Sequence, residues 1–187
     1  MRIFGSYTSP FVRHCRIALA QSGLDCEFAE TDYAQSAEQS PTCRVPFLTD
    51  DTRMLTDSAS IVRYLRATAG QAFCLDIDEF DLFLLVDTVM DSAVNLFLLE
   101  KDGVTPQTSA YLARQRRRVG QTLDELEDRI EGRADASGDG MIRLGCFLSW
   151  ALFRQRISLE DHPVLAEFQR RFESDPAIAA THPEKSA

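Results

Sequence analysis

The sequence predicts an α/β domain followed by an all-helical domain, and three observations lead to this fold class. The first 70 residues alternate short strand-like runs with amphipathic helices. A short segment at 69–76 has the character of a linker. Every periodic segment after it has helical spacing. We therefore expect two domains, residues 1–70 and residues 77–187, which suits a chain of 187 residues.

The first domain has the expected element order β-α-β-α-β-β-α. Its strands and helices are expected at residues 2–6, 10–22, 26–31, 32–42, 46–49, 53–56 and 58–67. The fourth of these is polar and poorly periodic, so it is either a loop or an irregular helix. Gly23 and Gly70 each follow a helix, which is a common position for a helix end.

The second domain is expected to contain only helices. The expected helices cover 79–101, 105–131 and 141–153, with shorter ones beginning at Pro163 and Pro176. The third is apolar on nearly every side, which is typical of a buried helix. Residues 134–140 are expected to form a loop, and the polar tail at 183–187 is expected to be loose.

Composition excludes some function classes. The net charge of −9 argues against nucleic-acid binding, which normally uses a basic face. The arginine run at 114–118 is the exception, and we interpret it as the solvated face of a helix. The five cysteines include no C-x-x-C pair and no zinc spacing, so no metal site is expected. No signal sequence and no apolar run of about 18 residues is found, which predicts a cytoplasmic protein without membrane contact.

Ser9 is the first candidate site residue. It follows the first strand and precedes Pro10, so its hydroxyl can simply cap the helix. The same position also allows a second role, because a helix N-terminus stabilises an anion and a hydroxyl there can donate to a thiolate. A dithiol enzyme of this fold would need cysteines at positions 9 and 12, where this chain has Ser9 and Val12. Any thiol chemistry here must therefore use the thiol of a ligand.

Two further dipeptides are candidates. Val45-Pro46 opens a strand, and it is either an ordinary edge-strand proline or a cis proline that presents the Val45 backbone to an extended peptide. Asp57-Ser58 follows a strand, and Ser58 begins a helix, so Ser58 is the expected N-cap. The dipeptide is either a capping pair or a site for the carboxylate and ammonium groups of a ligand.

Three segments together resemble the glutathione transferase superfamily, most closely its short bacterial glutathione-transferase-like members. They are residues 5–13 (GSYTSPFVR), 44–48 (RVPFL) and 57–65 (DSASIVRYL). The resemblance continues through 144–154 (LGCFLSWALFR) and 181–183 (THP), so that it covers nearly the whole chain. It implies a thioredoxin-like N-terminal domain and an all-α C-terminal domain.

The resemblance also implies a function and a set of binding residues. Ser9 would hydrogen-bond the sulfur of glutathione, which would act as co-substrate with no metal. The expected binding residues are Phe11, Arg44, Val45, Pro46, Asp57 and Ser58. The expected reaction is conjugation of glutathione to a small electrophile. The long 79–101 helix and its neighbour would form a homodimer interface.

Two departures from the family pattern bear on the site and the fold. Cys43 stands where a glycine is common, which puts the local turn in question. The capping box usual at the start of the buried helix is missing, because Gly138 and Met141 occupy its positions, and Asp139 is the remaining candidate cap.

Three functions therefore stay open at this point. The first is a glutathione transferase, and the second is a glutathione-dependent peroxidase or reductase. The third is a non-catalytic member of the superfamily that regulates or binds another protein.

Overall fold

The protein is represented by a computed structural model that describes residues 1–132 and 138–186. The chain divides into two compact units. The first contains Met1–Leu75 together with Asp175–Ala187, and the second contains Asp76–Ser174. The sequence assigned residues 175–187 to the helical domain, whereas in the structure this segment clusters with the first unit.

The first unit follows the expected order of strands and helices. Its elements are β1 (Arg2–Gly5), α1 (Pro10–Ser22), β2 (Glu27–Glu30), α2 (Tyr33–Gln39), β3 (Phe47–Thr49), β4 (Met54–Leu55), α3 (Ser58–Thr68), and then α8 (Pro176–Ala179) and a 3-10 helix (Pro183–Ser186). The polar segment after β2 does form a helix, because the Asp32 side chain caps it by accepting a hydrogen bond from the Gln35 amide.

One mixed sheet organises this unit, with strand order β2-β1-β3-β4. β1 is parallel to β2 and antiparallel to β3, and β3 is antiparallel to β4. The core on this sheet draws on β1, β3, α1 and α3. Its fully buried members are Ile3, Cys15, Ala18, Leu48, Ile61, Val62 and Leu65. This is a thioredoxin-like arrangement.

The second unit is helical throughout its described part. Its helices are α4 (Ile77–Lys101), α5 (Ala110–Ile130), α6 (Asp139–Phe153) and α7 (Pro163–Ser174). The expected start of α5 at Thr105-Pro106 is wrong. Those residues lie in a separate turn held by the Thr108 hydroxyl, and Ser109 caps α5 instead. Of the expected loop at 134–140, residues 134–137 lie outside the described part of the chain.

Acidic side chains of neighbouring helices occupy the N-termini of α6 and α7. At α7, the carboxylate of Glu127 accepts hydrogen bonds from the amides of Val164 and Leu165. At α6, the Glu79 carboxylate lies so close to Gly138 that an added Cβ there would be 2.3 Å from its Oε1. Asp139 was the expected cap of α6, but it is the first helical residue and is buried. A larger residue at position 138 would therefore require the Glu79 side chain to move.

Helix α4 is long and apolar enough, by length and composition alone, to cross a membrane. That test is weak, because the core helix of a soluble protein also passes it. Asp87 and Asp91 interrupt its apolar sequence. Asp87 lies 3.6 Å from the guanidinium of the fully buried Arg143. The helix thus carries an ion pair of the second unit's interior.

Two further expectations are wrong. The sequence places His14 on the first helix and suggests its outer face, but the side chain is fully buried in the structure. The C-terminal tail was expected to be loose, whereas it forms a short helical turn up to Ser186 and Thr181 is buried. The sequence pattern did not indicate that the segment after residue 174 belongs to the first unit.

Two glycines on neighbouring helices provide a matched test of this packing. A Cβ on Gly145 of α6 would lie 2.5 Å from three ring atoms of Phe172 on α7, whereas a Cβ on Gly120 of α5 meets nothing within 4 Å. We expect Gly145→Ala to lower the free energy of unfolding by about 1–3 kcal/mol through overpacking. We expect Gly120→Ala to raise it by about 0.5–1 kcal/mol through helix propensity. Guanidinium denaturation of both variants checks this, and equal effects would contradict the packing of α6 on α7.

Candidate functional site

Three chain segments meet at one end of the sheet because of the strand directions. β1 ends there and leads into α1. β3 is antiparallel to β1 and begins there, with Phe4 paired to Phe47. β4 is antiparallel to β3, so its final residue also lies at this end and leads into α3. The topology therefore gathers the residues around Ser9, Val45 and Asp57 at one edge.

Ser9 is the N-cap of α1, which is the first of the two roles that the sequence allows for it. Its backbone is extended, Pro10 occupies the first turn, and its Oγ accepts a hydrogen bond from the Val12 amide at 3.4 Å. Its side chain is partly exposed. The hydroxyl hydrogen has no acceptor among residues 1–132 and 138–186, so it can be donated to a ligand. The N-terminus of α1 adds the partial positive charge of the helix dipole.

The first turn of α1 is held against both neighbouring elements. A Cβ on Gly5, the last residue of β1, would lie 2.6 Å from Val12 Cγ2, so only glycine allows this approach. On the other side, the buried thiol of Cys15 donates to the carbonyl oxygen of Ser58 at 3.8 Å. These contacts join the Ser9 and Ser58 parts of the site through α1.

The peptide bond between Val45 and Pro46 is cis. Pro46 is buried, while Val45 is half-buried and lies just outside the β3 ladder. No hydrogen bond of the Val45 backbone is found within the described chain, so its N–H and C=O can pair with an extended peptide. Cys43 keeps the expected turn by adopting a left-handed backbone with φ of 51°. This is uncommon for a residue other than glycine.

Asp57 and Ser58 divide the capping role differently from the sequence expectation. Ser58 was the expected cap of α3, but Asp57 is the cap, and its Oδ1 accepts from the Ala59 amide at 2.8 Å. Ser58 is the first helical residue and is buried. The Asp57 carboxylate is exposed and retains a free oxygen for a cation.

Phe11 and Arg44 occupy the remaining predicted positions. Phe11 lies half-buried in the first turn of α1, two residues after Ser9. Arg44 is exposed and immediately precedes Val45. Both therefore lie at the edge of the sheet where the other site residues meet.

Sequence reasoning missed two contributors to this edge of the sheet. The apolar helix face on which Cys15 falls predicts only a core residue, yet its thiol donates to the backbone carbonyl of Ser58. Arg13 was quoted only within the resemblance, yet its buried side chain bonds to Thr181 near the C-terminus. No local pattern could have indicated either contact, because each joins residues far apart in sequence. In the described part of the chain, no group of three or more His, Cys, Asp or Glu residues could hold a metal ion.

The fold and this site define a class. It is a two-domain protein with a thioredoxin-like domain whose helix N-terminus carries a serine in place of a redox cysteine. The comparisons with known proteins agree with that class. Residues 3–73 match the family described as glutathione S-transferase, N-terminal domain.

Relatives along the whole chain extend the match. The uncharacterized GST-like protein YibF of Escherichia coli K12 is 28% identical to this chain. The alignment is 202 residues long with its gaps and covers 100% of each of the two chains. A glutathione S-transferase from Methylobacillus flagellatus with glutathione bound has a TM-score of 0.85 at 24% identity, over 97% of this chain and 98% of its own. A glutathione S-transferase from Methylobacterium radiotolerans, in complex with glutathione sulfonate, has a TM-score of 0.83 at 25% identity. The match covers 97% of this chain and 94% of that one.

The chain is therefore similar over its whole length to glutathione-transferase-like proteins, and its residues 3–73 match the N-terminal domain of the glutathione S-transferase family.

The two roles of Asp57 can be separated by substitution. We expect Asp57→Ala to lower the free energy of unfolding by about 1 kcal/mol, because the Ala59 amide loses its cap. Asp57→Asn should leave stability nearly unchanged, since asparagine caps as well as aspartate. Urea denaturation of both variants gives the measurement. A loss of stability in Asp57→Asn equal to that in Asp57→Ala would show that capping is not the role of this side chain.

Proposed function

We propose that this protein is a glutathione transferase that conjugates reduced glutathione to a small electrophilic substrate. The observation that carries this proposal is the Ser9 hydroxyl at the N-terminus of α1, which accepts from Val12 and retains a hydrogen to donate. Donated to the ligand's sulfur, it favours the thiolate. The thiol proton passes to solvent, the thiolate attacks the electrophilic carbon, and a C–S bond forms. In a substitution the bond to the leaving group breaks and its electron pair departs with that group. In an addition the π electron pair moves to the neighbouring atom, which then takes a proton from water.

The energy required of Ser9 is modest. A free thiol has a pKa of about 8.5, and lowering the pKa by one unit takes about 1.4 kcal/mol of selective stabilisation of the anion. A helix N-terminus contributes roughly 0.3–1 kcal/mol, and a hydrogen bond to a charged group about 1.5–3 kcal/mol. Together these two contributions support a thiolate that is well populated near neutral pH.

The other site residues would hold the tripeptide. The Val45 backbone would pair with the ligand's main chain, beside Pro46. Asp57 would accept from the ammonium group of the γ-glutamyl end, and Ser58 would meet its carboxylate at the start of α3. Arg44 would lie near the glycine carboxylate and Phe11 beside the thiol.

Substitution of Ser9 tests the proposal. We expect Ser9→Ala to raise the pKa of the bound glutathione thiol by about one unit, and to lower kcat/KM at neutral pH about tenfold. Because the wild-type pKa is the lower one, the two rates should converge as the pH rises above the pKa of the variant. The pH profile of conjugation to a standard aryl halide, with the ultraviolet absorbance of the bound thiolate, provides both measurements.

Thr8→Val is the matched control, because the Thr8 hydroxyl pairs with Ser6 and not with the start of α1. It should leave the thiol pKa unchanged. Unchanged conjugation by Ser9→Ala would exclude Ser9 from this role. If calorimetry on the wild type detects no binding of millimolar glutathione, a non-catalytic member of the superfamily is favoured. Peroxide reduction faster than conjugation would favour a glutathione-dependent peroxidase.

We also propose that the chain forms a homodimer through α4 and α5. Three apolar residues on one stripe of α4 are exposed: Ile77, Phe80 and Leu84. The outer stripe of α5 is also exposed. It is positively charged near the start of the helix and negatively charged near its end, and its residues in order are Arg114, Arg117, Gln121, Asp124 and Asp128. An antiparallel copy centred on Gln121 would place arginine opposite aspartate at both ends.

A charge exchange tests this dimer. We expect Arg114→Asp to raise the dimer dissociation constant about two- to fivefold, because it places like charges opposite Asp128 of a second copy. Arg114→Asp combined with Asp128→Arg should restore the wild-type value. Sedimentation equilibrium at low salt gives the constants, and the double variant is its own control. If the dissociation constant is the same in the wild type and in both variants, the α5 stripe is not part of the dimer interface.

A cytoplasmic location is proposed with the function. All five cysteines are free thiols, and a reducing compartment preserves this state. Glutathione in its reduced form is the co-substrate that the proposed reaction consumes.

A further inference from the structure

Arg13 is a charged side chain buried inside the first unit, with 1% of its surface exposed. Burial of a charge is costly unless hydrogen bonds compensate it. Its Nε donates to Thr181 Oγ1 at 2.9 Å, and its Nη2 donates to the carbonyl oxygen of Ile178 at 3.1 Å. A planar guanidinium can make both bonds at once in fixed directions. The arginine therefore fixes both the distance and the orientation between α1 and the chain near Thr181.

The acceptors themselves are held in place by local bonds. The Asp175 carboxylate caps α8 by accepting from the amides of Ala177 and Ile178. The Thr181 amide donates to the Ile178 carbonyl at 2.9 Å, and the Thr181 hydroxyl donates to the same oxygen at 2.6 Å. Thr181 Oγ1 is thus at once a donor to Ile178 and an acceptor from Arg13. Residues 175–183, named here the C-terminal segment, form a preorganised receptor for this arginine.

The same arginine is one turn from the candidate catalytic residue. Its backbone amide donates to the Ser9 carbonyl at 3.0 Å, which is the first hydrogen bond of α1. The preceding residue, Val12, donates to the Ser9 hydroxyl and contacts Gly5. The first turn of α1 is therefore held by β1 on one side and by the C-terminal segment through Arg13. The Ser9–Val12 bond is long at 3.4 Å, so a small movement of this turn would change the direction of the hydroxyl.

We propose that Arg13 and Thr181 are positioning residues, through which the C-terminal segment holds the first turn of α1 and aims the Ser9 hydroxyl at the ligand's thiol. The proposal rests on the proposed function for its catalytic consequence. Its structural part concerns the protein without ligand. The two parts can therefore be measured separately.

The test uses the full-length protein with three substitutions. Thr181→Val keeps the shape of the side chain and removes the oxygen that Arg13 and Ile178 share. Thr181→Ser keeps that oxygen and removes only a methyl group. Thr122→Val is the matched control, because Thr122 is a similarly buried threonine on α5 in the second unit. Two quantities are measured: amide hydrogen exchange in residues 9–16 of the free protein, and the pKa of the thiol of bound glutathione.

We expect Thr181→Val to speed exchange at the Val12 and Arg13 amides about two- to tenfold, the effect of one lost hydrogen bond. The pKa of the bound thiol should rise, and kcat at neutral pH should fall more than KM rises. Thr181→Ser and Thr122→Val should match the wild type in all of these quantities.

Two results would overturn the proposal. One is unchanged exchange in the first turn of α1 in Thr181→Val. The other is faster exchange with an unchanged thiol pKa, which would give the contact a purely structural role. If the wild type binds no glutathione, the proposed function fails, and the exchange of the free protein still decides whether the C-terminal segment holds α1.

Discussion

The close approach of α1 to the end of β1 is the constraint on which the site depends. Gly5 and Val12 are in contact at a distance that no side chain on residue 5 would allow. The tight turn between them brings the N-terminus of α1 to the sheet edge where β3 begins and β4 ends. Ser9, Val45 and Asp57 come together because of this geometry.

Helix ends are the recurring chemical element of the site. Ser9 and Asp57 both cap helices, and Ser58 begins one. Each end offers amides and a partial positive charge, which suits the anionic groups of a peptide thiol. The Val45 backbone, which has no hydrogen bond within the described residues, adds a further main-chain donor and acceptor to the site. A site of this kind depends on where the helices lie more than on particular side chains. Arg13 and Cys15 contribute to it because their side chains hydrogen-bond α1 to other elements of the first unit.

In both units, a buried arginine or a helix end has partners on other elements. Arg13 bonds to α8 and the chain after it, while Arg143 lies beside Asp87 and over the ring of Phe83. Glu127 caps α7 from α5, where His162 and Pro163 supply no capping side chain of their own. Such contacts compensate the desolvation of polar groups and also specify which elements pack together. They therefore contribute specificity where the local sequence supplies no capping side chain, as at the start of α6, where the Glu79 carboxylate of α4 lies beside Gly138.

The sequence by itself determined the fold class, the element order of the first unit, and the positions of the candidate site residues. It could do so because strand alternation, helical periodicity and capping residues act over a few neighbouring positions, as the bounds of α1 illustrate. Only the tertiary structure decided the cap of α6, the burial of His14 and the attachment of the C-terminal segment to α1. These depend on contacts such as Arg13 with Thr181, 168 residues apart. Periodicity carries no information about such pairs, because their partners are set by the packing of the whole unit.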